Sequence, residues 1–222
     1  MAIEAVEDLL GPAGRLEALL NTGLPDARFA AVVCHPHPPS GGTMHTKVVF
    51  HTAKALNSFG FPVLRFNFRS VGKSEGEYSK GTGEVEDVRA AMDWASAKYG
   101  LPLIMAGFSF GANMALRAGC GDSRVKGLIG LGTPVEAGGR NYTYEFLQNC
   151  TQPKLFVTGA EDPFAPRAVM ERTFADAPPP ITSIWIEGAE HFFAGTPASP
   201  LPKLNEMRAA IEGWVGSTFL VK

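Results

Sequence analysis

Several things are scarce in this 222-residue chain, and each scarcity removes a class of protein. Basic charge is not in excess: 20 Lys and Arg stand against 22 Asp and Glu, giving a formal charge of −2. The basic stripe that neutralises nucleic-acid phosphates is therefore missing. Cysteines number three, Cys34, Cys120 and Cys150, an odd count that cannot make a disulfide framework and suits a reducing compartment. The opening MAIEAVEDLLGPAGR carries acids and lacks the basic segment that precedes the apolar stretch of a secretory signal. The longest uncharged run, Tyr99–Leu116, has 18 residues but is interrupted by Gly, Pro, Ser and Asn, so it reads as a strand entering a helix and not as a membrane span. Repeats, low-complexity tracts and Ser/Gly-rich linkers are absent. What remains is the expectation of one cytoplasmic domain, residues 1–222, with neither nucleic acid nor membrane as partner.

Apolar residues, by contrast, make up 45% of the chain, enough to offset the chain entropy of folding and to exclude intrinsic disorder. Gly and Pro together number 42, which implies many tight turns. Two early strands, Glu4–Leu9 and Arg15–Leu20, flank the turn Gly11-Pro12-Ala13-Gly14 and predict a hairpin. Beyond them, short apolar runs alternate with amphipathic stretches. Strands are expected at Phe29–Cys34, Pro62–Phe68, Leu101–Ala106, Val125–Leu131, Lys154–Val157 and Ile181–Ile186. Helices are expected near His45–Phe59, Gly83–Lys98, Phe110–Gly119, Arg167–Ala175 and Leu201–Phe219. This alternation predicts an α/β protein: a mostly parallel sheet covered on both faces, with an antiparallel N-terminal hairpin and a ligand at the carboxyl ends of the strands.

One strand end carries a nucleophile signature. Leu101–Ala106 runs into Gly107-Phe108-Ser109-Phe110-Gly111 and then into a helical stretch, which is G-x-S-x-G in strand–turn–helix context. A reactive Ser on so sharp a turn takes a strained backbone, and strand and helix approach so closely that the positions two residues either side must be glycine. A solvent-facing Ser on a Gly-rich turn is the plainer alternative to a nucleophile. A base must take the proton of Ser109, and a third group must fix the tautomer of that base. In this strand–elbow–helix architecture the chain order is Ser, acid, His. Downstream of Ser109 the single histidine is His191, just past the Ile181–Ile186 strand. For the acid, Asp162 follows the Lys154–Val157 strand and lies 29 residues before His191, with Glu161 as its rival. Phe110 would supply one backbone N–H to an oxyanion. His37 would supply the other, since Pro36, Pro38 and Pro39 around it have no amide hydrogen. A metal is not expected: His35, His37, His45 and His51 have no carboxylate or Cys at a ligand spacing.

The chain resembles the α/β-hydrolase superfamily over nearly its whole length, and within it the small lidless bacterial serine hydrolases grouped near dienelactone hydrolases. The resemblance rests on His35-Pro-His-Pro, Gly41-Gly-Thr-Met44, Arg65-Phe-Asn-Phe-Arg69 with Val71-Gly-Lys-Ser-Glu-Gly76, Gly83-Glu-Val-Glu-Asp87 and the elbow Gly107–Gly111. Two departures are visible. Ser70 stands where relatives often have Gly, and Ser109 stands where dienelactone hydrolases proper use Cys, which favours ester chemistry over their reaction. The resemblance implies a three-layer α/β-hydrolase fold with no lid domain, because Val135–Gln152 has only 18 residues and a separate domain needs about 40. That segment is expected to hold one short helix near Tyr142–Gln148. The expected activity is cleavage of small carboxylic esters by Ser109, His191 and Asp162 through an acyl-enzyme, with no cofactor and a small-molecule ester or thioester as partner. A thioesterase or small-peptide hydrolase with the same triad is the alternative, followed by a non-catalytic binding protein. His35, Phe108, Arg69 and Phe192 are the candidate substrate-binding residues, with Arg69, Lys73 and Lys80 as cations that could favour an anionic substrate.

Overall fold

Strands with almost no polar residue build the centre of the molecule. The computed structural model describes residues 1–220. Its strands are β1 (Ile3–Val6), β2 (Leu10–Gly11), β3 (Gly14–Arg15), β4 (Ala18–Asn21), β5 (Ala30–Cys34), β6 (Val63–Phe66), β7 (Leu103–Phe108), β8 (Val125–Leu131), β9 (Glu136–Ala137), β10 (Arg140–Asn141), β11 (Lys154–Gly159) and β12 (Ile181–Ile186). Eight of them form one sheet in the order β1-β4-β6-β5-β7-β8-β11-β12. β4 pairs antiparallel with both β1 and β6, and the remaining neighbours are parallel. β5 and β7 are buried at every position, as central strands covered on both faces must be.

Successive strand residues point to opposite faces, and two apolar layers result. On one face Ala31, Val33, Ile104 and Ala106 pack against α1 (Lys47–Asn57) and α5 (Leu204–Phe219) through Val49, Leu56, Met207 and Ile211. On the other, Val32, Cys34, Leu103 and Met105 pack against α2 (Thr82–Tyr99) and α3 (Phe110–Gly119) through Val88, Met92, Met114 and Leu116, with α4 (Arg167–Thr173) contributing Met170. Each buried Leu, Ile or Met of this kind contributes about 1.5–3 kcal/mol. The fold is thus the expected three-layer arrangement, and Val135–Gln152 adds no lid domain.

Two local expectations change. The N-terminal strands are shorter than Glu4–Leu9 and Arg15–Leu20, because Leu9 and Leu16 leave the β1 and β4 line to bury themselves completely, with the Leu16 N–H donating to the Leu9 carbonyl at 2.9 Å. The small β2–β3 hairpin sits between them. The short helix expected near Tyr142–Gln148 is a 3-10 helix at Glu145–Asn149, starting three residues later, and the unexpected β9–β10 hairpin precedes it.

The sheet order places the site. α1 follows β5 on one face and α3 follows β7 on the other, so the loops leaving these two neighbouring strands diverge and open a crevice at their carboxyl ends. Register aligns the ends: Cys34 pairs with Gly107, Phe108 with Leu131, Val157 with Leu131, and Gly159 with Ile186. Whatever follows β5, β7, β8, β11 and β12 therefore emerges along one edge. Among the described residues no helix is long and apolar enough to cross a membrane.

Candidate active site

Ser109 sits between β7 and α3 with φ 54° and ψ −122°, a left-handed conformation that is strained for any residue but glycine. The turn is held by a 2.9 Å bond from its N–H to the Leu131 carbonyl. Its neighbours explain why it cannot relax. A Cβ on Gly107 would lie 2.2 Å from the Gly111 carbonyl oxygen, and one on Gly111 would lie 2.3 Å from that of His35. Both contacts are to backbone, which has no rotamer to give.

From Ser109 a buried chain of hydrogen bonds runs across three strand ends. His191 Nε2 lies 2.9 Å from Ser109 Oγ, and His191 Nδ1 lies 2.7 Å from Asp162 Oδ2. The other oxygen of Asp162 accepts the Phe164 N–H at 2.9 Å. An acceptor-only carboxylate at Nδ1 requires the proton there, which leaves the Nε2 lone pair facing the Ser109 hydroxyl. The His191 ring is boxed by Phe108, Phe164 and Phe192, with centroids 4.9, 4.7 and 5.3 Å away. Glu161 is exposed and accepts the Gly188 N–H at 3.3 Å, so of the two rival acids it is Asp162 that meets the histidine.

A cleft of about 450 Å³ opens above Ser109 and His191. Its walls come from Pro36, His37 and Ser40–Gly42 after β5, from Ala137–Gly138, Arg140 and Tyr142 of the hairpin segment, and from Phe164 and Phe192. The Phe110 N–H belongs to the first turn of α3, where no intrahelical acceptor exists. Among the described residues neither it nor the His37 N–H pairs with an acceptor. The His37 ring is clamped, Nδ1 2.8 Å from Ser40 Oγ and Nε2 2.8 Å from Tyr78 OH, and it packs edge-on against Phe110 at 5.5 Å. Burial first, then the Arg140 charge, push its pKa down to about 4, with Glu84 opposing them.

Of the four candidate substrate contacts, Phe192 alone reaches the cleft, half exposed at its rim. His35 is wholly buried; its Nε2 accepts the Phe68 N–H at 3.0 Å and its Nδ1 lies 2.7 Å from the Pro36 carbonyl, so it ties the loops after β5 and β6 together. Phe108 is wholly buried beneath His191, because the residue before Ser109 points to the α1/α5 face. Arg69 is engaged by Asp87, with its Nη2 2.7 Å and its Nε 3.0 Å from the carboxylate oxygens. Sequence reasoning missed Arg140, Tyr142 and Phe164. The signal for the first two was Gly138-Gly139 between short flanks, a dipeptide that favours a two-residue hairpin turn. Among the described residues no group of three or more His, Cys, Asp or Glu could hold a metal.

Comparisons with known proteins bear on the family and the fold. A family model described as an alpha/beta hydrolase domain matches residues 30–216. A solved alpha-beta serine hydrolase homologue from Coxiella burnetii superposes with a TM-score of 0.81 at 33% identity, covering 96% of each chain. A serine hydrolase without lid from Xanthomonas campestris gives the same TM-score and identity, covering 99% of this chain and 96% of that one. An uncharacterized protein of Rickettsia prowazekii (strain Madrid E) is 36% identical over 157 residues, which take in 68% of this chain and 64% of the relative's length.

Proposed function

Since the chain belongs to the alpha/beta hydrolase family, we propose that it is a serine hydrolase cleaving small carboxylic esters through an acyl-enzyme. On this reading the whole chain, residues 1–222, is one hydrolase domain, and both apolar layers serve to hold five strand ends in register beneath a single cleft. One observation carries the proposal: the unbroken Asp162–His191–Ser109 hydrogen-bonded chain at the floor of that cleft.

Ser109 Oγ attacks the ester carbonyl while His191 Nε2 takes its proton. Asp162 keeps the Nδ1 proton in place and stabilises the imidazolium that forms, without taking that proton itself. The carbonyl oxygen becomes an oxyanion, which the Phe110 and His37 N–H groups meet with fixed dipoles aided by the α3 N-terminus. His191 then returns the proton to the departing alcohol, leaving Ser109 acylated. Water enters, His191 removes its proton, and the same steps in reverse release the acid. A cleft of about 450 Å³ with no lid domain favours short acyl groups over long lipid chains.

The test is labelling with a fluorophosphonate, which captures an activated serine. The native chain should label, and Ser109→Ala and His191→Ala should not. Turnover of short-chain esters should fall about 10⁴–10⁶-fold in Ser109→Ala. A folded native chain that resists the probe would overturn the proposal.

A further inference from the structure

The walls of the cleft carry an uneven charge. Among the described residues Arg140 is the one with a fixed charge that lines it, and no Asp or Glu does. Among the described residues Arg140 has no carboxylate within ion-pair distance, whereas Arg69 and Arg208 each have one and Arg124 has two. The contrast with Arg69 is instructive: its guanidinium is matched by the fully buried carboxylate of Asp87, so it has no charge to offer a ligand.

The backbone holds Arg140 where that charge can be used. It pairs with Ala137 across the β9–β10 hairpin. The hairpin is fastened at its base by the Tyr142 N–H on the Val135 carbonyl at 3.0 Å, and by the Val135 N–H on the Phe164 carbonyl at 2.9 Å. Phe164 in turn donates its N–H to Asp162. The cation is thus tethered to the same loop that carries the acid of the triad. It shares the cleft wall with His37, whose protonation is opposed first by burial and then by the Arg140 charge. Nothing among the steps above uses it.

We infer that Arg140 is the anchor for a carboxylate on the substrate, so that the preferred esters are half-esters of dicarboxylic acids or similar monoanionic esters. This deepens the ester-hydrolase reading and rests on it for the chemistry at Ser109. A guanidinium fork matches a carboxylate with two parallel N–H donors. A phosphate monoester, with nearly two charges, would call for more than the single cation the cleft supplies.

The experiment measures binding by calorimetry to the full chain carrying Ser109→Ala, which cannot turn the ligand over. Monomethyl glutarate should bind about tenfold more tightly than dimethyl glutarate, the value of one charged hydrogen-bonded contact. That advantage should vanish on adding Arg140→Gln, survive in part with Arg140→Lys, and shrink as salt is raised. Equal binding of the two ligands, failure of the half-ester to bind, or an advantage that persists in Arg140→Gln would each overturn the inference. Fluorophosphonate labelling of the native chain keeps the two ideas apart. A chain that labels without the charge preference remains a hydrolase and loses the anchor. A chain that shows the preference without labelling keeps the anion site and loses the hydrolase reading.

Discussion

The elbow at the end of β7 and the β9–β10 hairpin face each other across one cleft, yet different physics shapes them. At the elbow, glycine is demanded by crowding: a methyl group on Gly107 would strike backbone at 2.2 Å. At the hairpin tip, Gly138 and Gly139 take φ of 57° and 72° in open space, with nothing within 4 Å of where a Cβ would be. The first region is over-determined by its neighbours and stores strain at Ser109. The second is held by a few ladder bonds at its base and is free to differ between relatives. The proposed function places chemistry in the rigid region, and the proposed anchor places ligand choice in the adjustable one.

The largest effects should come from the rigid side. Asp162→Asn keeps the shape of the triad but presents an amide where the histidine needs an acceptor, and kcat on a short-chain ester should fall about 10⁴-fold. Glu161→Gln, one residue away, should change kcat by less than about 2-fold, as its carboxylate serves the Gly188 N–H. Reversal of these two results would move the acid to Glu161. Gly107→Ala should cost about 3 kcal/mol or more in denaturant unfolding, because strand and helix must separate to admit it.

The same division decides what could be read in the sequence. β8 and β12, together with α3, fall at the residues expected, and the other principal strands and helices shift by one to three residues at their ends, since long apolar or amphipathic periods announce themselves. The elbow glycines, the Ser–acid–His order and the approach of Ser109, Asp162 and His191 were legible too, because close packing restricts which residues can stand there. β9 and β10 have two residues each, too few for any period to show. No period therefore marked the cleft residues Arg140, in β10, and Tyr142, just after it; the Gly138-Gly139 turn was the one signal for them. His35, Phe108 and Arg69 illustrate a different loss. Nearness in sequence to the nucleophile or its loops says nothing about which side of the sheet a side chain takes or what neutralises it, and each of the three is consumed by internal packing or pairing.

Stability against acid offers a gentler probe of the rigid region. Burial pushes the pKa of His35 down to about 4, the backbone contact with Pro36 opposing it only in part. The unfolded chain takes up that proton near pH 6.5. Between these values the unfolded state binds more protons, so stability should fall as pH drops from 6.5 to about 4 and level off below. His37 titrates in the same direction. Unfolding by urea at stepped pH should show this slope, and His35→Gln should remove part of it. An unchanged slope in that variant would mean that His35 is not among the groups responsible.

The smallest effect, and the one that most sharpens the contrast, is expected from Gly139→Ala. Here the added methyl meets no atom, and the cost is the left-handed backbone alone, about 1 kcal/mol. Because the hairpin hangs on few bonds, it should open by itself and leave the sheet closed. The amide of Tyr142, bonded to the Val135 carbonyl, should then exchange about 5-fold faster, as 1 kcal/mol dictates. The amide of Ser109, bonded to Leu131 within the elbow, should keep its native rate. If both amides accelerate together, hairpin and elbow form one cooperative unit, and assigning chemistry to one and selection to the other fails. If Tyr142 alone responds, the cleft has one wall that evolution can alter without disturbing the nucleophile.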